Sequence, residues 1–447
     1  MRHLYSVVLS AAAITIVSAC RIEAQCGGTW TQRTPAAAPS ALQAFGVAFD
    51  AGRGMTALFG GYANGNNVGE TWEWDGTSWV QRLPSATPTA RCCFAMAYDS
   101  VRGEVVLFGG YTNDENAETW TWNGANWTQK LPATSPTGRD SFAMAFDSAR
   151  GVTVLFGGAT NSGDDNETWE WDGANWLQKS PSVAPSVRQD HAMSFDSIRG
   201  VIVLFGGDSS STDNAETWEW DGVNWSQKFP ANSPSARRDH GMAYDSDKGV
   251  TVLFGGTSAG SENAETWEWD GVDWAMRLPA GAPAARRNHK MAYDSNRGVT
   301  GLFGGATGIN TVNNETWEWS GPLPFVSQQP VDKSVVSGMA ATFSVTAGGT
   351  GPFTYQWQKE GGTLVDGGAV GGATTSALTI DPTSSSDAGV YSCLVSNACS
   401  STSSRPATLA ITASGGQACG LCGGGAASMM PLAILGLGKM RRRHIKR

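Results

Sequence analysis

ETWEWDGANW, residues Glu167 to Trp176, is the stretch on which the fold turns. Near-copies begin at 70, 118, 216 and 265, and a truncated one, ETWEWSG, at 315. Their first tryptophans (Trp72, Trp120, Trp169, Trp218, Trp267 and Trp317) recur at steps of 48 to 50 residues, the periodicity of an array. Within one copy, alternation puts Trp169 and Trp171 on one face of a strand and Thr168 and Glu170 on the other. Asp172-Gly173 then turns the chain into a second strand carrying Trp176. An indole buries on the order of 150 to 250 Å², and a lone hairpin with three of them would be marginal. The copies must therefore stack, with the tryptophans as core rather than as ligand platforms.

Outward from the hairpin, a full unit runs from Arg188: RQDHAMSFDSIRGVIVLFGG, a polar loop, ETWEWDG, two residues, then WSQKFPANSPSARR. Four strands are expected, at 191–195, 201–205, 216–220 and 225–228. Asp196 and Gly200 supply the turn between the first two, and Gly206-Gly207 ends the second where positive φ is needed. The sixth copy stops at Trp319 without a fourth strand. GTWTQR (28–33) matches the fourth strands GTSWVQR (76–82) and GANWTQK (124–130), so the N-terminal strand is predicted to complete the sixth unit beside Trp317 and Trp319. Such closure removes open sheet edges.

An apolar strand ending in Gly-Gly, an aromatic strand and a later Trp at a period near 50 resemble the kelch repeat in its bacterial, extracellular form, across about residues 25–321. W-x-W stands where the usual spaced Tyr and Trp would be. The resemblance implies a six-bladed β-propeller, each unit a four-stranded blade. Beyond it, Trp357 and DAGVYSC (387–393) resemble an immunoglobulin-like β-sandwich. Phe343, Val345, Leu378 and Ile380 are expected to face inward there. Val345 occupies the place of the first sandwich cysteine, so Cys393 is expected to bond instead to Cys399 across the turn at Ser396-Asn397. The fold class is all-β, and the expected parts are a signal peptide at 1–24, the propeller at 25–321, a linker at 322–325, the immunoglobulin-like domain at 326–412 and a spacer with a C-terminal tag at 413–447.

Few charged residues (16%) and abundant Gly (56) fit many short strands and tight turns. The net charge of −9 becomes more negative once Arg2, Arg21 and the basic tail KMRRRHIKR are removed. That balance disfavours nucleic acid and anionic lipid. Residues 1–24 read as a secretory signal, cleaved after Ala24 or, as Val-Ser-Ala-Cys resembles a lipobox, before a lipidated Cys20. CGLCGGG (419–425), an apolar run to Gly438 and the basic tail resemble the tripartite C-terminal sorting tag of bacterial surface proteins. The chain is expected to be secreted or displayed on the cell surface as a monomer, meeting membrane only through its termini.

Function is expected on one side of the array. The loops between the second and third strands, and those between units, vary among copies, whereas the D-S-x-R/K-G turns barely do. Variable loops on a rigid frame are where binding resides. Tyr62, Tyr111, Asp114, Asp164, Asp208, Asp213 and Glu262 are the candidate ligand contacts, suited to a carbohydrate or a protein. His191, His240 and His289 share a column with Phe45, Phe94 and Phe142, which favours packing over metal binding. Arg91, Arg139, Arg188, Arg237 and Arg286 form a second column and Glu70, Glu118, Glu167, Glu216, Glu265 and Glu315 a third; the two columns are expected to pair, and because Leu42 replaces the first Arg, one Glu should have a different partner. No nucleophile elbow, phosphate loop or zinc motif occurs, and no catalytic residue, metal or cofactor is assigned. The reading is a binding or adhesion module; the alternative is an extracellular carbohydrate-active oxidase or hydrolase using the same side.

Overall fold

Strand alternation, Asp-Gly turns and double glycines give six four-stranded antiparallel sheets followed by a sandwich of six-, three- and two-stranded sheets in the computed structural model. It describes residues 28–413 except 210–211, 280, 309–310, 322–323, 350, 398 and 400. The expected signal segment, with Cys20 and Ala24, and the tag from 414 onward lie outside the described residues. Among those described, no helix is long and apolar enough to cross a membrane.

In the fourth sheet the strands are Ala192–Asp196, Val201–Phe205, Thr217–Trp220 and Trp225–Lys228, within a residue of expectation. The inner strands of each sheet are largely buried on both faces, so Thr217 and Glu219 are buried along with Trp220. The sixth sheet consists of Lys290–Asp294, Val299–Phe303, Thr316–Ser320 and the N-terminal strand Thr29–Arg33. Trp30 lies opposite Trp319 and Gln32 opposite Trp317.

Neighbouring sheets are joined in the same way throughout. The fourth-strand indoles of Trp79, Trp127, Trp176, Trp225, Trp274 and Trp30 donate to the hydroxyls of Thr316, Thr71, Thr119, Thr168, Thr217 and Thr266, each at 2.9 Å. Each Thr belongs to the preceding sheet, and the first sheet bonds to the sixth. A second circuit runs through backbone amides. Ala44, Cys93, Ser141, Asp190, Asp239 and Asn288, all with φ between 54 and 64°, each donate N–H to the carbonyl of the preceding member, Ala44 to Asn288, at 2.7 to 3.0 Å. Six non-glycine residues thus share a left-handed conformation that costs each of them backbone energy.

In the sandwich, Phe343, Val345, Leu378 and Ile380 face inward as expected and form one core with Trp357 and Tyr391. The Tyr391 hydroxyl donates to the Asp387 carbonyl at 2.6 Å, tying the strand entry to the corner before it. The first strand, Phe325–Gln328, begins at the last residue assigned to the linker. The expected Cys393–Cys399 bond is corrected: Cys393 is a buried free thiol, whereas Cys399 is disulfide-bonded elsewhere. Register explains this. Ser396 pairs with Ser401 and Leu394 with Ser403, so Ser404, not Cys399, faces Cys393 and exchanges hydrogen bonds with it. Cys399 sits in the turn, about three residue steps along the strand, beyond disulfide reach.

Candidate functional site on the loop side

The arginine column is what holds the variable loops. Arg188, fully buried, donates Nη1 to the Gly206 carbonyl at 3.0 Å, Nε to Ser186 at 3.1 Å and Nη2 to Glu216 at 2.6 Å. Arg91, Arg139, Arg237 and Arg286 repeat the arrangement with Glu118, Glu167, Glu265 and Glu315 at 2.5 to 2.7 Å. Each therefore staples the end of a double-glycine strand to the start of the next. Where Leu42 replaces the arginine, Glu70 accepts from the Trp72 indole at 2.8 Å. The carboxyls of Glu118, Glu167, Glu216, Glu265 and Glu315 are held below the usual range: burial opposes the shift, and the Arg and Trp hydrogen bonds overcome it.

Tyr62 and Tyr111, from adjacent units, are 38% and 41% exposed and flank one open groove of about 440 Å³. Asn66, Asn67 and Asn113 supply its polar lining, and the Asn67 amide donates to the Tyr111 carbonyl at 3.0 Å. Asp114 lies on the surface beyond Tyr111, where its carboxylate accepts from the Glu115 amide and from Asn161 of the next unit. Asp164 is in the short strand Gly163–Asp164, paired with Ala159. The remaining candidates engage arginines from the following unit. Arg238 meets Asp213 at 2.6 Å and Asp208 at 3.3 Å, and Arg287 pairs with Glu262. The structure therefore brings Tyr62 and Tyr111 together, sets Asp114 near them, and ties Asp208, Asp213 and Glu262 into contacts between loops.

Sequence reasoning did not single out the cavity beside the backbone circuit. Asp190 and Asp239, consecutive members of the backbone circuit, line it with Lys290. Burial and then mutual repulsion push the Asp190 carboxyl up, to about 8, while Lys290 counteracts part of the rise. The signal was an Asp at the same offset in two successive units, the residue just before a column histidine. Those histidines are packing residues: His191, His240 and His289 lie edge-on to Phe156, Phe205 and Phe254 at 5.5 to 5.6 Å, as Phe142 does to Phe108 at 5.7 Å. Burial drives all three pKa values down, that of His191 to about 3. Among the described residues, no cluster of three or more His, Cys, Asp or Glu is arranged to hold a metal.

The opposite side is differently occupied. Its D-S-x-R/K-G turns spend their cations on structure, Arg199 bonding Asp196 at 2.7 Å and also pairing with Glu219. Phe325 of the sandwich lies against Gly298 of the last such turn, and a cavity of about 370 Å³ opens between the two parts beside Lys248 and Arg405.

Comparison with known proteins finds an immunoglobulin domain at residues 324–397. A decoration protein of Escherichia phage T5 is 38% identical over 77 residues, which span 17% of this chain and 43% of that protein. The chain thus covers less than half the length of that relative. Among solved structures, a titin I-band fragment, I67–I69, is 28% identical over 20% of this chain and 33% of its own, with a TM-score of 0.19. The titin M3 domain is 27% identical over 20% of this chain and 96% of its own, with a TM-score of 0.18. The family match corrects the kelch identification: the model that matches is an immunoglobulin domain, over residues 324–397. The physical reason lies in what the motif reports. Alternating tryptophans, an Asp-Gly turn and a double glycine are demands of a stacked four-stranded sheet, and they identify an architecture rather than a lineage. The chain carries an immunoglobulin-like domain behind six repeated four-stranded sheets.

Proposed function

We propose that this protein is an extracytoplasmic binding module whose six sheets act as a closed ring, with a carbohydrate or protein ligand docking on the variable-loop side. The observation that carries this reading is the groove between Tyr62 and Tyr111: two exposed aromatic faces with amide groups between them, the Tyr111 loop fastened by buried Arg91 and the Tyr62 backbone bonded to that of Gln43. Aromatic faces stack on the apolar face of a sugar, and amides match its hydroxyls. The same mixture suits a protein patch, and the anchored backbone limits the ordering cost of binding. The sandwich lies on the turn side, which leaves the loop side for a partner.

The test is a glycan and protein-ligand screen of the full chain, followed by two variants against any ligand found. Tyr62→Ala with Tyr111→Ala is expected to weaken binding at least about tenfold, as loss of two aromatic contacts should. Val101→Ser with Ile198→Ser, at exposed positions of the turn side, is expected to leave affinity unchanged. Loss confined to the second variant would overturn the assignment.

A further inference from the structure

Cys92 and Cys93 are adjacent in sequence and also in contact through their side chains. Their Sγ atoms are 3.0 Å apart, about 1 Å longer than a disulfide bond. The backbone on both sides is fixed in this geometry. Cys92 exchanges N–H and C=O bonds with Tyr111 at 3.2 and 2.8 Å. Cys93, at φ 64°, donates to the Ala44 carbonyl at 2.8 Å and accepts from the Ser141 amide at 2.7 Å. Neither thiol is required by the fold, because the other units have Gln43-Ala44, Asp140-Ser141, Gln189-Asp190, Arg238-Asp239 and Arg287-Asn288 at these positions. Cys92 is among the residues lining the tyrosine groove, and Cys93 among those lining the cavity beside Asp190 and Asp239.

We propose that Cys92 and Cys93 form a thiol–disulfide exchange site that closes to a vicinal disulfide, with a small-molecule or protein disulfide as oxidant. The Cys92 thiolate attacks one sulfur of the oxidant, forming a mixed disulfide and releasing the first thiolate. Cys93 then gives its proton to the first released thiolate and attacks Cys92 Sγ, so the mixed bond breaks, the Cys92–Cys93 bond forms and a second thiolate leaves, which takes up from water the proton that Cys92 had lost. Two cysteine thiols are oxidised and one disulfide is reduced to two thiols. The division of roles follows from the shared proton: Cys93 donates to Cys92, which lowers the pKa of Cys92 and raises that of Cys93.

The experiment uses the full chain purified without reductant and treated with oxidised glutathione, then acid-quenched, alkylated and cut with trypsin. Cleavage after Arg91 and Arg102 isolates Cys92–Arg102, which contains both cysteines and no others. The expected peptide is unalkylated and about 2 Da lighter than the dithiol form, two hydrogens having been lost. It should regain two alkylatable thiols with dithiothreitol, and it should form roughly tenfold faster in the folded chain than in guanidinium. Cys93→Ser should accumulate a glutathione adduct on Cys92. Two alkylated cysteines after oxidation, a lasting glutathione adduct on wild-type Cys92, or equal rates in folded and denatured chains would each overturn the proposal.

Discussion

A buried imidazole has two polar nitrogens to satisfy, yet His191, His240 and His289 take ring positions that phenylalanine fills in other units. They stay neutral because burial depresses their pKa values. A depressed folded-state pKa means that the unfolded chain binds more protons below about pH 6.5, the ordinary histidine value. The stability contributed by the neutral form is therefore complete above that pH and is lost as pH falls toward the folded pKa, about 3 for His191. His191→Phe is expected to be more stable than wild type at pH 5, by on the order of 2 kcal/mol, with little difference at pH 7.5. Urea unfolding at both pH values measures this, and an unchanged pH dependence would refute it. The inter-sheet indole bonds give a second expectation at this scale. Thr266→Val removes the acceptor of the Trp30 indole and leaves a buried N–H, at a cost of about 1 to 3 kcal/mol. Thermal unfolding would show a lowered midpoint, and no change would mean that the indole finds another acceptor.

At the scale of the element, the arginine staple joins two strands that sequence places far apart. Arg188 is buried while Glu216 keeps about a third of its side chain in water, so the charge of the arginine is the dependent one. Glu216→Gln is expected to cost about 1 to 3 kcal/mol, less than for a fully buried pair. Arg188→Leu should be milder than Arg188→Ala, because Leu42 fills the same place in the first unit. Equal losses in the two arginine variants, measured by denaturant unfolding, would contradict that. Much of this scale was legible in the sequence. Repetition exposed the Arg and Glu columns, the absent first arginine and the fourth-strand character of Gly28–Arg33. Alternation also identified the sandwich core residues, since a period of two fixes the face of each side chain. It does not fix where a hairpin ends, and the Cys393–Cys399 expectation failed at that step. The backbone circuit was illegible for another reason: Ala, Cys, Ser, Asp, Asp and Asn share a φ angle but no side-chain pattern. The ion pairs of Arg238 and Arg287 with loop carboxylates were hidden because they form only between neighbouring units.

For the whole molecule, the proposed ring makes the two ends of the array a single sheet. Trp30 stands where every other unit has its fourth-strand tryptophan, packing on Phe254 at 5.1 Å as Trp225 packs on Phe156 at 5.0 Å. In that proposal closure fixes the separation of neighbouring loops, and with it the width of the groove between Tyr62 and Tyr111. The kelch reading placed this architecture in a family, whereas the strand pairing, the indole bonds and the amide circuit describe it without one. The most direct measurement is cross-linking of Thr29→Cys to Ser320→Cys, residues that face each other in the N-terminal and last repeat strands. Under mild oxidation the account predicts one peptide pair joined through these two positions, and a higher melting temperature than in the reduced form. Recovery of both engineered cysteines as free thiols from the folded protein would contradict closure by the N-terminal strand.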